Sequence, residues 1–223
     1  MKYDFFYGHT SYLISHISYL IHHTLNTMAF EFIKCSITGL YEIFPKIFGD
    51  NRGYFLETYS EKDFFEAGLT MKFVQDNQSK SSKYVLRGLH FQKQHPQGKL
   101  VRALEGKVYD VAVDLREGSP TFGKYHGVIL DSEKQNMFYI PEGFAHGFCV
   151  LSDNATFAYK CTDFYHPEDE GGVMWNDPAF NIDWESVCPG ILTNVNLSEK
   201  DKNHENFSAE KKFFDINAKW IGK

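Results

Sequence analysis

The chain has 223 residues, of which 43% are hydrophobic and 17% aromatic, and its formal net charge at pH 7 is −6. This apolar content excludes an intrinsically disordered chain, and the length suits one domain with a full hydrophobic core. The negative charge argues against a nucleic-acid-binding protein, although a few placed Arg and Lys side chains can still bind a small anionic ligand.

The segment before Met28 differs from the rest of the chain. Its stretch SYLISHISYLIHH is apolar, but polar residues interrupt it, Lys2 supplies the positive charge and no small-residue cleavage site follows. The stretch is also too short and too polar to span a bilayer, and we expect no membrane association. We interpret residues 1–27 as an N-terminal extension, disordered or helical, or as an over-extended translation start, and residues 28–223 as one domain.

From Phe30 onward, short β-branched and aromatic runs alternate with turns. Two such runs flank FGDNRG, a tight polar turn. The segment YSEKDFFEAGL predicts a short helix, because Ser60 can cap its N-terminus, Asp63 occupies the capping-box position and Gly68 ends it.

The centre of the chain predicts a series of strands. They are KFVQDNQSKS, YVLRGLHFQ, KLVRALEGKVYDVAVDLR, YHGVILD, QNMFYIPEGFAHGFCVLS and ATFAYKCTDFY. In KVYDVAVDLR the even-numbered residues from Val108 to Asp114 face one side, and the odd-numbered residues from Tyr109 to Leu115 face the other. Many short strands with Gly and Pro turns predict an all-β sandwich or barrel. Near the end of the chain, LSEKD and SAEKKFFD predict a helical segment.

The four cysteines carry no recognisable metal or disulfide pattern. Cys35, Cys149, Cys161 and Cys188 form no CxxC pair and no Cys/His spacing typical of zinc. We therefore expect reduced thiols and a cytoplasmic protein.

The segment YIPEGFAHGF contains Pro-x-Gly-x-x-His ending at His146 and resembles the second motif of the cupin jelly rolls. Metal-dependent cupins carry an earlier His-x-His, but here that segment has His90 followed by Gln92. His95 lies at an odd offset from His90, in a turn, and would face away from it. The transition-metal site is incomplete, and we expect no functional metal. His146 is then either a pocket residue or a structural barrel-lining histidine.

The segment RGLHFQKQHPQGK places an imidazole close to two fixed positive charges. His90 suits a general base near neutral pH, and Lys99, on the strand after the same loop, can stabilise an oxyanion. Arg87 and Arg52 can hold phosphate oxygens, or they form surface ion pairs. A base beside an oxyanion stabiliser suits proton abstraction next to a carbonyl group.

Inverting a carbon centre also requires an acid on the opposite face of the substrate. The segment FAYKCTDFY offers Tyr159 and Tyr165 as candidates. Most tyrosines in such a strand are packing residues, so spacing alone supports either one only weakly.

Eight motifs together resemble one known family. In chain order they are FGDNRGYFLE, FVQDNQSKS, VLRGLHFQ, QGKLVR, VYDVAVDLREGSPTFG, IPEGFAHGF, YKCTDFY and WNDPAFNIDW. Their number and order are similar to the dTDP-4-dehydrorhamnose 3,5-epimerase family, from about Met28 to Asp201. This resemblance implies an all-β, cupin-like jelly-roll barrel with short peripheral helices. It also implies a homodimer that uses no metal or other cofactor.

The resemblance further implies a reaction and its catalytic residues. The family epimerises dTDP-4-dehydro-6-deoxy-D-glucose at carbons 3 and 5, giving dTDP-4-dehydro-L-rhamnose, by removing and returning protons next to the ketone. By position, His90 matches the base, Tyr159 the opposed acid and Lys99 the lysine that stabilises the enolate. Asp201 matches the carboxylate paired with the base. Ser198, three residues earlier, also makes a capping box in which Asp201 would only cap a helix.

Further matched residues concern the dTDP-sugar substrate. Arg52 and Arg87 match the phosphate-binding arginines, and some nucleotide-binding residues of the family act across the dimer. The other matches, to residues around the nucleotide and the sugar pocket, are Glu57, Gln75, Asn77, His146 and Tyr165. The chain departs from many members at Phe164, where they carry a second tyrosine, and no clear match follows Asp201.

Three alternatives stay open at the level of the sequence. A single-carbon epimerase or a ketoisomerase on a related 4-keto sugar nucleotide would share the same pocket. A metal-dependent cupin and a non-catalytic sugar-nucleotide binder are rivals of other classes. Motifs alone do not distinguish one 4-keto sugar from another.

Overall fold

Two antiparallel β-sheets form the framework of the structure, a computed structural model that describes residues 29–215. The strands are β1 (Phe30–Lys34), β2 (Tyr41–Pro45), β3 (Phe48–Asp50), β4 (Gly53–Phe55), β5 (Gln75–Ser82), β6 (Leu86–Gln92), β7 (Lys99–Glu105), β8 (Lys107–Asp114), β9 (Arg116–Glu117), β10 (Tyr125–Asp131), β11 (Met137–Ile140), β12 (Phe144–Val150), β13 (Asn154–Cys161), β14 (Glu170–Gly172) and β15 (Phe214–Asp215). The six-stranded sheet has the order β1-β2-β11-β7-β13-β5, and the five-stranded sheet has the order β10-β8-β12-β6-β14. The predicted all-β jelly roll is confirmed. The predicted N-terminal extension, residues 1–27, lies outside the described residues.

The main hydrophobic core fills the space between the two sheets. Val101 and Phe138 from the six-stranded sheet pack with Val108, Ala112 and Phe148 from the five-stranded sheet, and all five are buried. Burial of one large apolar side chain contributes about 1.5–3 kcal/mol. This core holds the sheets face to face.

Strand β8 is buried on both faces. The predicted alternation is confirmed, because Val108 and Ala112 face the core between the sheets. Tyr109 and Val111 instead join a second cluster that includes Trp184. The C-terminal part of the chain therefore covers the outer face of the five-stranded sheet.

Short helices lie at the periphery, as predicted. They are α1 (Glu61–Glu66), α2 (Trp184–Val187) and α3 (Ile191–Asn194). In α1, the Ser60 hydroxyl accepts a hydrogen bond from the Asp63 backbone N–H at 3.3 Å, and Gly68 has a φ of +84° just past the helix end. Both features match the predicted caps. None of the helices between residues 29 and 215 has the length and apolar character needed to cross a bilayer.

The predicted C-terminal helical segment is largely wrong. LSEKD leads into a single 3₁₀ turn, Asp201–Asn203, and SAEKKFFD forms turns followed by strand β15, which pairs with β9 in parallel. Phe214 is 2% exposed, and its ring centre lies 5.6 Å from that of Phe91. Packing of this aromatic residue against the barrel outweighs the weak local preference for a helix.

Candidate active site

A cavity of about 480 Å³ opens between the two sheets and is lined by residues of β5, β6, β7, β12 and β13 and of the segment 196–201. Its volume lies in the range typical of small-molecule sites. Six of the sequence-predicted residues line it: Arg87, His90, Lys99, His146, Tyr159 and Asp201. Strand β6 belongs to the five-stranded sheet and β7 to the six-stranded sheet, so both sheets contribute side chains to this cavity.

His90 and Asp201 form a close pair in this cavity. The Nε2 atom of His90 lies 2.5 Å from Oδ1 of Asp201, whose side chain is only 4% exposed. The Ser198 hydroxyl donates to Oδ2 of Asp201 at 2.8 Å and accepts from the Asp201 backbone N–H at 3.1 Å. One oxygen of the Asp201 carboxylate thus accepts from Ser198, and the other is bonded to His90.

The two pKa values of the pair have different physical causes. Burial lowers the pKa of His90 below its ordinary value, and the hydrogen bond to Asp201 offsets this only in part. Burial alone would raise the pKa of the Asp201 carboxyl, but the close approach of His204 and the hydrogen bonds from His90 and Ser198 outweigh it and hold that pKa well below its usual range. The pair therefore consists of a neutral imidazole beside a carboxylate at neutral pH.

Tyr159 and Lys99 enter the cavity from the opposite sheet. Tyr159 on β13 lies across from Val101 of β7, two residues along from Lys99. Burial raises the pKa of the Tyr159 hydroxyl, which keeps it protonated at neutral pH, and burial lowers the pKa of Lys99. A protonated hydroxyl and a basic imidazole thus line one cavity from two different sheets.

A local irregularity in β6 brings Arg87 to the same cavity as His90. Residues three apart on a regular strand face opposite sides. Here the pairing of β6 with β12 shifts register, and Gly88 has a φ of +131°, with Gly147 so close that a Cβ on Gly88 would lie 2.5 Å from its Cα. Only glycine fits this position. Arg87 Nε and Nη2 donate to the Ser81 hydroxyl at 3.2 and 3.1 Å.

His146 has a buried carboxylate partner that the sequence did not point out. Its Nε2 lies 2.9 Å from Oδ2 of Asp110, which is fully buried on β8. The alternation of β8 puts Asp110 on the same side as Val108 and Ala112, which faces inward. This pattern was the sequence signal that could have identified Asp110 as a residue near the cavity. The contact fixes the imidazole at the cavity wall.

Gln92, which replaces the second histidine of metal-dependent cupins, forms hydrogen bonds with backbone groups. Its side-chain Nε2 donates to the His95 carbonyl at 2.6 Å, and its Oε1 accepts from the His166 N–H at 2.8 Å. His95 lies in the connecting turn, where its N–H donates to Asp169 at 2.7 Å. Gln92 therefore organises the loop beside the cavity and is not directed at His90.

Known proteins with the same sequence pattern identify the family. The sequence profile described as dTDP-4-dehydrorhamnose 3,5-epimerase matches residues 34–209. The chain belongs to the dTDP-4-dehydrorhamnose 3,5-epimerase family. It is an isomerase of the type predicted from the eight motifs.

Individual relatives support the same assignment. A dTDP-4-dehydrorhamnose 3,5-epimerase of Methanothermobacter thermautotrophicus is 52% identical over 174 residues, which cover 78% of this chain and 92% of the relative. A solved structure of a Legionella pneumophila dTDP-6-deoxy-D-glucose-3,5-epimerase in complex with dTDP-4-keto-L-rhamnose has a TM-score of 0.78 and 50% identity, covering 85% of this chain and all of that one. A double mutant of a Streptomyces bikiniensis 3′-monoepimerase in complex with dTDP has a TM-score of 0.71 and 31% identity, covering 78% and 85%.

Five residues that match the epimerase family at substrate positions lie outside the cavity of the single chain. Arg52 is on the β3–β4 turn, exposed and paired with Asp50 at 2.6 Å. Tyr165 is also exposed, and its hydroxyl donates to Glu170 at 2.8 Å. The other three are the exposed Glu57 and, on edge strand β5, the residues Gln75 and Asn77.

His204 is a partly buried residue of this epimerase that sequence reasoning missed. Its Nε2 lies 3.5 Å from Oδ1 of Asp201, and its ring centre is 5.4 Å from that of His90. His90, Asp201 and His204 place ligand atoms within 4.8 Å of one another, donor types that zinc accepts. Because Asp201 Oδ1 is already bonded to His90 at 2.5 Å, the geometry favours the proton-transfer pair over a metal site.

Proposed function

We propose that His90 and Tyr159 carry the epimerisation of dTDP-4-dehydro-6-deoxy-D-glucose at carbons 3 and 5, giving dTDP-4-dehydro-L-rhamnose. The observation that supports this assignment is their placement on opposite sheets with one shared cavity. A ring bound between them presents one face to the base and the other to the acid. This arrangement is what inversion at a carbon next to a ketone requires.

The pairing with Asp201 determines which nitrogen of His90 is the base. A carboxylate only accepts, so Nε2 carries the proton and Nδ1 keeps its lone pair. Nδ1 removes the proton from the carbon next to the ketone, and the bonding electrons move into the carbonyl as an enolate. The enolate oxygen is stabilised by Lys99. The growing charge on the imidazolium is stabilised by Asp201.

Tyr159 completes each inversion from the other face. Its hydroxyl gives a proton to the carbanionic carbon, which restores the ketone with the opposite configuration. His90 then loses its proton to solvent, and the Tyr159 phenolate takes one back before the second carbon reacts. Each inversion thus places one solvent-derived proton on the carbon that is inverted.

The identity of the product tests this function. Purified protein is incubated with dTDP-4-dehydro-6-deoxy-D-glucose, and the sugar-ring coupling constants are followed by NMR. The proposal predicts the doubly inverted sugar. A product inverted at one carbon, or with its ketone moved, would favour the single-carbon epimerase or the ketoisomerase instead.

Asp201→Asn is expected to lower turnover by at least about 10²-fold, because the base loses the group that fixes its tautomer. Neutral His90 is the active form and its pKa is already lowered, so the acid limb of the pH profile lies below about pH 6.5. Without Asp201 the imidazolium loses its partner, and this limb moves to still lower pH. Steady-state kinetics over pH measures both effects.

Ser198→Ala is the matched control, because it removes the capping hydroxyl and keeps the carboxylate. It should cost about 0.5–2 kcal/mol of stability and affect turnover less than Asp201→Asn. If Asp201→Asn lowered only the melting temperature and left the kinetics unchanged, Asp201 would be a helix cap and His90 would lack an assigned partner.

Catalysis is expected to survive exhaustive chelation. The side-chain amide of Gln92 is occupied by backbone groups, and the His90–Asp201 pair works by proton transfer alone. Initial rates are measured at 25 °C before and after dialysis against a strong chelator. Loss of turnover that one added divalent ion restores would contradict a metal-free reaction.

We infer that the protein acts as a homodimer through the β3–β4 hairpin. What supports this is that Phe48 and Phe55, which pair across the hairpin, are 50% and 66% exposed and make an apolar patch typical of an interaction surface. The nucleotide-matching residues outside the cavity lie on this hairpin, in the segment after it and on β5.

Light scattering after size exclusion should give a dimer for the wild type and a monomer for Phe55→Asp. Phe65→Asp, at an equally exposed site on α1, should stay dimeric, and a monomeric wild type would contradict the inference.

We further infer a cytoplasmic location. All four cysteines are free, although the Sγ atoms of Cys149 and Cys188 lie only 3.4 Å apart. Free thiols are typical of reducing compartments. Recovery of the protein in an extracellular or membrane fraction of its cells would contradict this inference.

A further inference from the structure

A second group of ligand-type side chains lies outside the active site. Cys35, Glu42 and His126 place one thiol sulfur, one carboxylate oxygen and one imidazole nitrogen within 4.8 Å of one another. None of the three lines the active-site cavity. Their chemistry is therefore not explained by epimerisation.

The three side chains come from both sheets. Cys35 follows β1 directly, and Glu42 on β2 lies across from Ile33 of β1. His126 is on β10, the edge strand of the five-stranded sheet. A ligand held by all three would connect the β1–β2 edge of one sheet to the β10 edge of the other.

One ring nitrogen of His126 lacks a hydrogen-bond partner within residues 29–215. Its Nε2 is buried, and the nearest carboxylate oxygen, Glu42 Oε1, is 3.8 Å away, too far for a hydrogen bond. The other nitrogen, Nδ1, lies 3.5 Å from the Ser36 hydroxyl. A buried polar atom without a partner is costly, and metal-binding histidines commonly use their second nitrogen for such an outer contact.

We propose that Cys35, Glu42 and His126 bind one Zn²⁺ ion that links the two sheets. Thiolate, carboxylate and imidazole are all zinc ligands, and bonds of about 2.0–2.3 Å in a tetrahedral site put ligand atoms about 3.3–3.7 Å apart. The observed spacing reaches this value with movements of about 1 Å or less. All three residues are partly exposed, so the ion enters from solvent and water occupies the fourth position. On binding, the Cys35 thiol gives its proton to solvent.

Cobalt provides a spectroscopic test, because Co²⁺ substitutes for Zn²⁺ and gives a near-ultraviolet charge-transfer band only when a thiolate binds it. The purified full-length protein, stripped of metal, should show this band on addition of Co²⁺. Cys35→Ser should lose it, and the matched control Cys188→Ser, at a buried cysteine elsewhere in the barrel, should keep it. If Cys35→Ser does not fold, the wild-type spectrum still decides, because a missing band overturns the proposal.

A Zn²⁺ titration against a chromophoric chelator tests the ligand set. We expect one tight ion per chain, an affinity lowered at least about tenfold in Glu42→Gln and His126→Gln, and unchanged turnover when the ion is added or removed. Added Zn²⁺ should also raise the melting temperature of the wild type. His204→Gln distinguishes the two clusters. An affinity that depends on His204 and is insensitive to Cys35→Ser would put the ion beside His90 and overturn the proposal.

Discussion

His90→Ala is expected to abolish proton exchange at both carbons of the sugar. The proposed mechanism assigns removal of both protons to this imidazole, which lines the cavity and is bonded to the Asp201 carboxylate. A general base typically contributes about 10²–10⁴-fold to rate. Exchange is followed by NMR in heavy water with the dTDP-sugar substrate, and turnover is measured in parallel.

Two controls make the His90 result specific. Nucleotide affinity should change little, because Arg87 and the residues outside the cavity are untouched. His95→Ala alters a histidine five positions away that stacks on His166 in the connecting turn, with ring centres 4.1 Å apart, and should keep near-normal turnover. Near-normal exchange in His90→Ala would assign the base to another residue.

Tyr159→Phe is expected to separate deprotonation from inversion. The variant keeps the ring and its packing on β13 but removes the proposed proton donor, which lines the same cavity as His90. His90 can still form the enolate and return a solvent proton to the same face, so exchange continues without inversion. The yield of the doubly inverted sugar should fall by about 10²–10⁴-fold.

Tyr139→Phe is the matched comparison for this substitution. Tyr139 is a buried tyrosine of β11 in a separate hydrophobic cluster, outside the cavity. Its loss of a hydroxyl should leave both exchange and inversion unchanged. A normal yield of the doubly inverted product from Tyr159→Phe would remove Tyr159 from the role of acid.

The features of the fold that were predictable from the sequence are local ones. The caps of α1 depend on Ser60, Asp63 and Gly68 within nine residues of each other, and the alternation of β8 follows from strand geometry alone. The segment SAEKKFFD was misread because its structure depends on a distant surface. Phe214 packs against Phe91, and no local pattern in the segment reports that contact.

The sequence predicted those parts of the active site that lie within a single motif. His90, Lys99 and their connecting turn share one stretch of sequence, whereas the contact between His90 and Asp201 spans 111 positions and rested on resemblance to the family. His204 follows the last matched motif, so no pattern marked it. The register shift at Gly88 was equally hidden, because it depends on the approach of Gly147 from another strand.

The position of solvent deuterium in the product decides whether one base and one opposed acid act at both carbons. The wild-type protein is incubated with dTDP-4-dehydro-6-deoxy-D-glucose in heavy water, and deuterium is located by NMR. His90 and Tyr159 acting from opposite sheets predict deuterium at carbon 3 and carbon 5 of the inverted sugar, and at no other carbon. Deuterium at a single carbon, or a doubly inverted product without deuterium, would contradict the account.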